Sequence, residues 1–148
     1  MTFVACFAMM FASCNKELEL NGTTWTASQT LNESYTEAGI EITTTMTTDC
    51  TMKFIDATKG SLAVTIYGST TYMGHTYNIA PETQEEAFTY TFDGATGTLN
   101  AVDEETGEHA SIPFTYNKSD KTIHIDISEP GEDGEPDFEL NLVFTQEK

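Results

Sequence analysis

The chain contains 148 residues, of which 24 are Asp or Glu and only 6 are Lys or Arg, so its formal net charge is −18. This length fits one domain, and a hydrophobic fraction of 39% is sufficient to form a buried core. The charge excludes nucleic acid as a partner, because affinity for nucleic acid depends largely on cationic side chains that neutralise phosphates. Every cationic residue is a Lys, so no planar guanidinium is available to bind phosphate or carboxylate in a bidentate manner.

The N-terminal segment predicts secretion. Residues 1–13 are uncharged and almost wholly apolar, yet they are too few to cross a bilayer as a helix, which needs about 20 residues. The segment ends in Phe11-Ala12-Ser13-Cys14, which resembles the lipobox of bacterial lipoproteins. The resemblance implies that the segment is removed and that Cys14 is acylated. An N-terminal strand or helix ending in an ordinary cysteine is the alternative interpretation.

This resemblance also implies a location and a division of the chain. We expect a lipoprotein signal peptide at 1–13, a lipidated cysteine with a polar tether at 14–21, and the folded domain at 22–148. The lipid would anchor the protein in the bacterial cell envelope, at the outer membrane, on its periplasmic face or at the cell surface. Lys16, Glu17 and Glu19 are similar to the acidic motifs that direct lipoproteins of Bacteroidetes-type bacteria to that surface.

The folded domain retains one cysteine after this processing, Cys50. No intrachain disulfide is then possible in the mature protein. A lone thiol inside a strand-like run is typical of a small core residue, with a reactive nucleophile as the alternative.

From Gly22 onward apolar residues alternate with polar ones, and threonine is abundant, which predicts an almost wholly β domain. Strands this close together leave no room for crossover helices, so sequence neighbours should pair antiparallel. We expect an up-and-down meander of about 8–10 strands that closes into a barrel, because closure removes the exposed edges. The predicted strands are 22–29, 39–48, 50–56, 61–68, 71–79, 86–93, 96–102, 109–117, 121–128 and 137–146.

The second half of the chain shows the alternation most clearly. Phe88, Tyr90 and Phe92 share one face of a predicted strand, and Asp93-Gly94 predicts the turn that follows it. Later, three isoleucines at alternate positions are predicted to face the core, while the residues between them, His124 and Asp126, face solvent.

Four groups of segments carry a family resemblance. They are Gly22-Thr23-Thr24-Trp25, Phe54-Ile55-Asp56 before Lys59-Gly60, the run from Phe88 to Asp93 with Gly97-Thr98-Leu99, and Ile112-Pro113-Phe114 before Ile123-His124-Ile125. These segments resemble the lipocalin-like lipoproteins of Bacteroidetes. The resemblance covers most of the domain and implies a lipocalin-like barrel in the cell envelope. The chain carries Gly-x-x-Trp where lipocalins proper carry Gly-x-Trp, and it has no Arg to pack across the Trp.

The motifs typical of enzymes and metal sites do not occur. His75, His109 and His124 form no His-Glu-x-x-His pattern, and the chain contains neither Cys-x-x-Cys nor Gly-x-Ser-x-Gly. Two acidic segments, 103–108 and 129–137, are interpreted as solvated hairpin tips, with calcium binding as the alternative. We therefore expect no catalytic residue, no metal site and no cofactor.

The aromatic residues are the remaining candidates for function. Tyrosines on strands are typical of a cavity mouth, where one end of each ring stays in water. We expect a non-catalytic module that binds a small apolar or amphipathic ligand. A protein-interaction or adhesion module with a solid barrel is the first alternative, and an envelope hydrolase is the second. The candidate ligand-binding residues are Trp25, Tyr67, Tyr72, Tyr77, Tyr90 and Tyr116.

Overall fold

The computed structural model describes residues 19–102, 107, 109–129 and 138–148, which form eight β-strands. The predicted signal peptide, Cys14 and most of the two acidic segments lie outside these residues. In chain order the strands are β1 (Thr23–Glu37), β2 (Ile40–Phe54), β3 (Lys59–Tyr72), β4 (His75–Phe92), β5 (Thr96–Val102), β6 (His109–Asn117), β7 (Thr122–Glu129) and β8 (Phe138–Gln146).

Each strand pairs antiparallel with the next, and β1 pairs with β8, so the sheet closes into a barrel. The predicted all-β, up-and-down barrel is confirmed. The strands number eight rather than the ten counted from the sequence. A strand break was predicted at Asp49, but β2 continues through this residue. The Asp49 carboxylate faces outward, where it accepts a hydrogen bond from Ser28 Oγ at 2.6 Å.

The first four strands are 14–18 residues long and the last four only 7–9, so the barrel has two different ends. At the closed end all neighbouring strands are paired. Towards the open end, pairing between β1 and β8 stops after Thr26 with Thr145, and pairing between β4 and β5 stops after Thr89 with Asn100. The β1–β4 sheet therefore extends beyond its last pairing with the shorter strands.

The side chains at the closed end fill the barrel. Aromatic rings pack edge to face here, with the Phe54 and Tyr90 centroids 4.7 Å apart and those of Trp25 and Tyr116 6.1 Å apart. The burial of so much apolar surface is the main contribution to the stability of this half. The largest side chains buried almost completely are Trp25, Met52, Phe54, Phe114, Ile123 and Phe144.

Short polar turns seal the closed end. Asp56 Oδ1 accepts hydrogen bonds from the amides of Thr58 and Lys59, at 2.8 and 2.9 Å. Asp93 Oδ1 accepts in the same way from the amides of Ala95 and Thr96, at 2.9 and 2.7 Å, which confirms the turn predicted at this position. Such bonds satisfy backbone donors that no strand partner reaches.

Candidate functional site

The most distinctive surface of the protein is the inner face of the β1–β4 sheet beyond the core. Side chains alternate across a strand, so residues that share the side of Trp25 continue the barrel interior towards the open end. The strand register arranges these inner-face residues in cross-strand rows, each with one residue from each of the strands β1 to β4. Three successive rows from the core outward are Trp25, Met52, Leu62 and Glu86; then Ala27, Cys50, Val64 and Gln84; then Gln29, Thr48, Ile66 and Glu82.

Beyond these rows the inner face carries exposed apolar side chains among polar ones such as Glu33 and Thr44. Leu31 is 50% exposed, Ile79 is 40% exposed and Tyr77 is 60% exposed. Nearer the tip, Tyr35 and Tyr72 lie on either side of Ile42 in one row, and Ile42 is only 7% exposed. Exposed apolar side chains clustered on one face are typical of interaction surfaces.

A groove of about 260 Å³ lies on this face. Val64 and Ile66 of β3 form an aliphatic side of the groove, and Gln84 and Glu82 of the adjacent strand β4 form a polar side. Each polar residue lies directly across the sheet from its aliphatic partner. The groove is therefore amphipathic along these two pairs and apolar at its outer end, where Met46 and Ile79 line it. The residues that line it are Met46, Val64, Ile66, Ile79, Ala80, Glu82 and Gln84.

The two sides of the groove continue one row towards the core. Glu86 lies opposite Leu62, and both line a smaller cavity of about 50 Å³ with Phe88, Leu99 and Ile112. We call Glu82, Gln84 and Glu86 the polar column and Leu62, Val64 and Ile66 the aliphatic column.

A β-bulge shapes the groove. The β3–β4 register pairs Ile66 with Glu82 and next pairs Gly68 with Ile79, so β4 contains one extra residue at this point. Pro81 lies within the irregularity, which suits proline because it has no backbone N–H to donate to a ladder. The bulge brings both Ile79 and Glu82 to the inner face.

Gln29 of β1 has an unsatisfied side-chain oxygen. Its side-chain oxygen Oε1 is buried and has no hydrogen-bond partner within the part of the chain that the structure describes. Gln29 shares its row with Glu82. A buried acceptor without a donor is costly, so this oxygen would gain from a donor supplied by a ligand.

The outer face of the same sheet is polar. Thr30 and Thr47 are hydrogen-bonded through their hydroxyls at 3.0 Å, and Thr65 and Thr83 at 2.8 Å. Tyr67 also lies on this face, where a hydrogen bond to the carboxylate of Asp49 raises the pKa of its hydroxyl. The two faces of the sheet therefore differ in chemistry, and the exposed aliphatic side chains Leu31, Ile66 and Ile79 belong to the inner one.

The structure separates the six candidate aromatic residues into three groups. Trp25, Tyr90 and Tyr116 belong to the packed closed end: Trp25 is fully buried and Tyr90 is 6% exposed, while Tyr116 packs against Trp25. Tyr67 points to the outer face. Only Tyr72 and Tyr77 lie on the exposed inner face, near its tip.

The sequence hypothesis did not single out most of the residues around the groove. Ile66, Ile79 and Glu82 were not candidates, nor was Tyr35 near the tip. The alternation of β3 was the sequence pattern that could have predicted the groove. Its even-numbered residues include both Leu62 in the core and Ile66 in the groove. Continuing that parity beyond the core would have identified the aliphatic column.

The remaining titratable candidates lie away from the groove or are buried. Cys50 is 3% exposed, and burial raises the pKa of its thiol, with a smaller contribution from Asp49. His124 is on the outward side of β7, where Nε2 lies 2.8 Å from Thr122 Oγ1. Within the described ranges, no three His, Cys, Asp or Glu side chains converge to hold a metal ion.

Taken together, the fold defines an eight-stranded antiparallel barrel that is filled at one end and carries an exposed amphipathic sheet face at the other. The chain matches no protein-family model, no curated protein and no solved structure. No helix in the described part of the chain is long and apolar enough to span a membrane.

Proposed function

We propose that this protein is a non-catalytic binding module of the bacterial cell envelope, lipid-anchored through Cys14, and that it binds a small amphipathic molecule on the inner face of the β1–β4 sheet. The observation that carries the proposal is the amphipathic groove, in which the aliphatic column of β3 lies beside the polar column of β4. Ligand sites are typically concave and mostly apolar, with a few polar groups that fix orientation.

The exposed apolar side chains supply the affinity. Ile66 and Ile79 are 41% and 40% exposed, so a ligand that covers them removes apolar surface from water. Full burial of an isoleucine is worth about 1.5–3 kcal/mol, and covering the part still exposed would contribute about 1 kcal/mol for each side chain. Two such contacts correspond to roughly thirty-fold in affinity.

The direction of the barrel supports the anchoring part of the proposal. Leu20 is buried at the closed end, and the Gly22 amide donates to the Phe54 carbonyl at 2.7 Å, so the chain enters the barrel there. A tether from Cys14 would hold the closed end towards the membrane and leave the groove facing away from it.

The binding test uses the full chain with Cys14→Ser, which removes the acyl acceptor and permits purification without detergent. Titration calorimetry with dodecyl maltoside below its micelle concentration measures affinity for an apolar chain with an uncharged head. We expect one-to-one binding that the double variant Ile66→Ser/Ile79→Ser weakens roughly thirty-fold. The matched control is Ile55→Ser, which changes an isoleucine that is 62% exposed at the closed end. Absence of one-to-one binding, or equal loss in the control, would contradict the proposal.

The anchor has its own test. Cells that incorporate a clickable fatty acid should label the wild-type protein and not the Cys14→Ser variant. Equal labelling of both would show that Cys14 is not the acylation site.

A protein-interaction or adhesion module is the second candidate, and a specific observation favours it. The closed half of the barrel is filled by side chains, and the apolar face is open rather than enclosed. A photo-crosslinking residue in place of Tyr77 would capture an envelope protein in cells if a partner covers the face. In place of Thr76, which lies on the outer side of the same strand, it would capture none.

A further inference from the structure

The charges of the barrel are distributed unevenly between its two ends. The acidic residues of the inner face are Glu86, which shares a row with Trp25 and Met52, and Glu33, Glu37 and Glu82, which lie beyond the packed core. The chain contains no Arg, and all the lysines that the structure describes are at the closed end: Lys53, Lys59, Lys118, Lys121 and Lys148. Within the described ranges, then, no Lys or Arg side chain belongs to the groove.

The acidic side chains of the polar column are built into the apolar surface. Glu82 lies opposite Ile66 and lines the groove, while Glu86 lies opposite Leu62 and lines the adjoining cavity. A ligand that covers the aliphatic column also removes water from beside these carboxylates. Their attraction for a cation then strengthens, and so does their repulsion of an anion, because the local dielectric constant falls.

A further feature of the inner face favours a cationic head. Tyr35, Tyr72 and Tyr77 present exposed rings further along the same face, where a cation would be attracted to the ring faces.

We infer that the ligand is a cationic amphiphile, a molecule with an apolar chain or ring and a protonated amine or guanidinium head. This inference rests on the proposed binding function and adds the charge class of the ligand. The apolar part lies along the aliphatic column, and the head contacts a carboxylate of the polar column, Glu82 or Glu86. Amphiphiles with phosphate or sulfate heads are rejected, because the face offers them like charge and no Lys or Arg.

The experiment compares three probes with the same twelve-carbon chain and different heads: dodecylammonium, dodecyl maltoside and dodecyl sulfate. Each is titrated below its micelle concentration into the full chain carrying Cys14→Ser. We expect dodecylammonium to bind most tightly, roughly tenfold better than dodecyl maltoside, and dodecyl sulfate to bind most weakly. Added salt should reduce the difference between the charged and uncharged probes.

Variants separate this site from the general attraction of an acidic protein for cations. Glu82→Gln/Glu86→Gln should lower the affinity for dodecylammonium roughly tenfold and leave that for dodecyl maltoside unchanged. The control Glu41→Gln/Glu85→Gln removes the same charge from the outer face of the same sheet and should change neither. Circular dichroism of each variant verifies the fold, and Glu82→Asp/Glu86→Asp, which keeps both charges, should retain the preference.

The possible outcomes distinguish the two claims. If none of the three probes binds, the proposed function fails. If dodecyl maltoside binds as tightly as dodecylammonium, the binding function stands and the charge inference is overturned. Equal losses in the inner-face and outer-face variants also overturn it, since the preference would then reflect net charge rather than the groove.

Discussion

Tyr90 Oη donates a hydrogen bond of 2.7 Å to the backbone carbonyl of Asp56, which ties the interior of β4 to the turn between β2 and β3. The ring of Tyr90 is 6% exposed and packs edge to face on Phe54. One side chain thus fills the core and satisfies a turn carbonyl at the closed end. The same side chain cannot serve a ligand at the open end.

The Tyr90→Phe substitution tests this bond. It keeps the ring and leaves the Asp56 carbonyl without its donor, so we expect the free energy of unfolding to fall by about 1 kcal/mol. Urea denaturation followed by tryptophan fluorescence measures the change. Tyr72→Phe, at a ring that is 39% exposed, should change stability by less than about 0.5 kcal/mol. A neutral Tyr90→Phe would show that the bond contributes nothing net.

The same tyrosine predicts an alkaline effect. Burial raises the pKa of Tyr90, with a smaller contribution from the Asp56 carboxylate. The unfolded chain therefore releases this proton first, and stability falls as the pH rises above about 10, the ordinary tyrosine value. Denaturation profiles between pH 9 and 11 should fall less steeply in Tyr90→Phe than in the wild type.

Two turn aspartates predict an acid effect. Hydrogen bonds from the backbone amides of Thr58 and Thr96 are the main causes that lower the pKa of Asp56 and Asp93, respectively. Their stabilising contribution is present above the unfolded value of about 3.9 and is lost as the pH falls through the lower folded values. The Asp56→Asn/Asp93→Asn variant keeps the Oδ1 acceptors of the turn amides, loses the Asp93 Oδ2 acceptor of Thr96 Oγ1 and does not titrate. Its stability should decline less between pH 4 and pH 2, as measured by chemical denaturation, and an unchanged profile would contradict the assignment.

Gly60 is expected to tolerate no side chain. A Cβ at this position would lie 2.3 Å from Phe88 Cζ and 2.4 Å from the Lys53 carbonyl oxygen. Gly60→Ala should therefore destabilise the barrel by about 1–3 kcal/mol through overpacking. Gly39→Ala is the comparison, because a Cβ there meets nothing within 4 Å and only the positive φ of 81° opposes it. That variant should lose about 1 kcal/mol, from the left-handed backbone alone.

Substitution of Gln29 is expected to raise the stability. Gln29→Leu replaces a buried, unsatisfied acceptor with an apolar side chain of similar size, so the free energy of unfolding should rise by about 1 kcal/mol, as measured by urea denaturation. A destabilised variant would show that the Gln29 side chain supports the fold.

Sequence reasoning identified the strands wherever a core covers one face of them. Ile123 and Ile125 are buried while His124 and Asp126 point outward, as the alternation predicts. It did not identify strand in residues 30–37 or 80–85, which lie beyond the core. There the inner-facing residues of β1 include Leu31, Glu33 and Tyr35, and the alternation disappears because burial no longer selects for it.

The bulge in β4 is a second reason why the sequence did not predict the candidate site. Counting back from Phe88 with period two assigns Ala80 and Asn78 to the inner face, whereas the bulge near Pro81 shifts the register and brings Ile79 and Tyr77 there instead. A single extra residue exchanges the two faces of a strand. No pattern of residue types in this segment predicts that exchange.

The sequence by itself determined the charge, the alternation that produces an antiparallel barrel, and the polar residues that turn the chain at its closed end. These properties follow from local chemistry, since composition, periodicity and turn residues act over a few positions. Only the tertiary structure decided which tyrosines are core and which are surface, where the barrel is filled, and that an aliphatic column lies beside a polar column. Those features depend on strand length, register and one bulge, which are set by the pairing of residues distant in the chain.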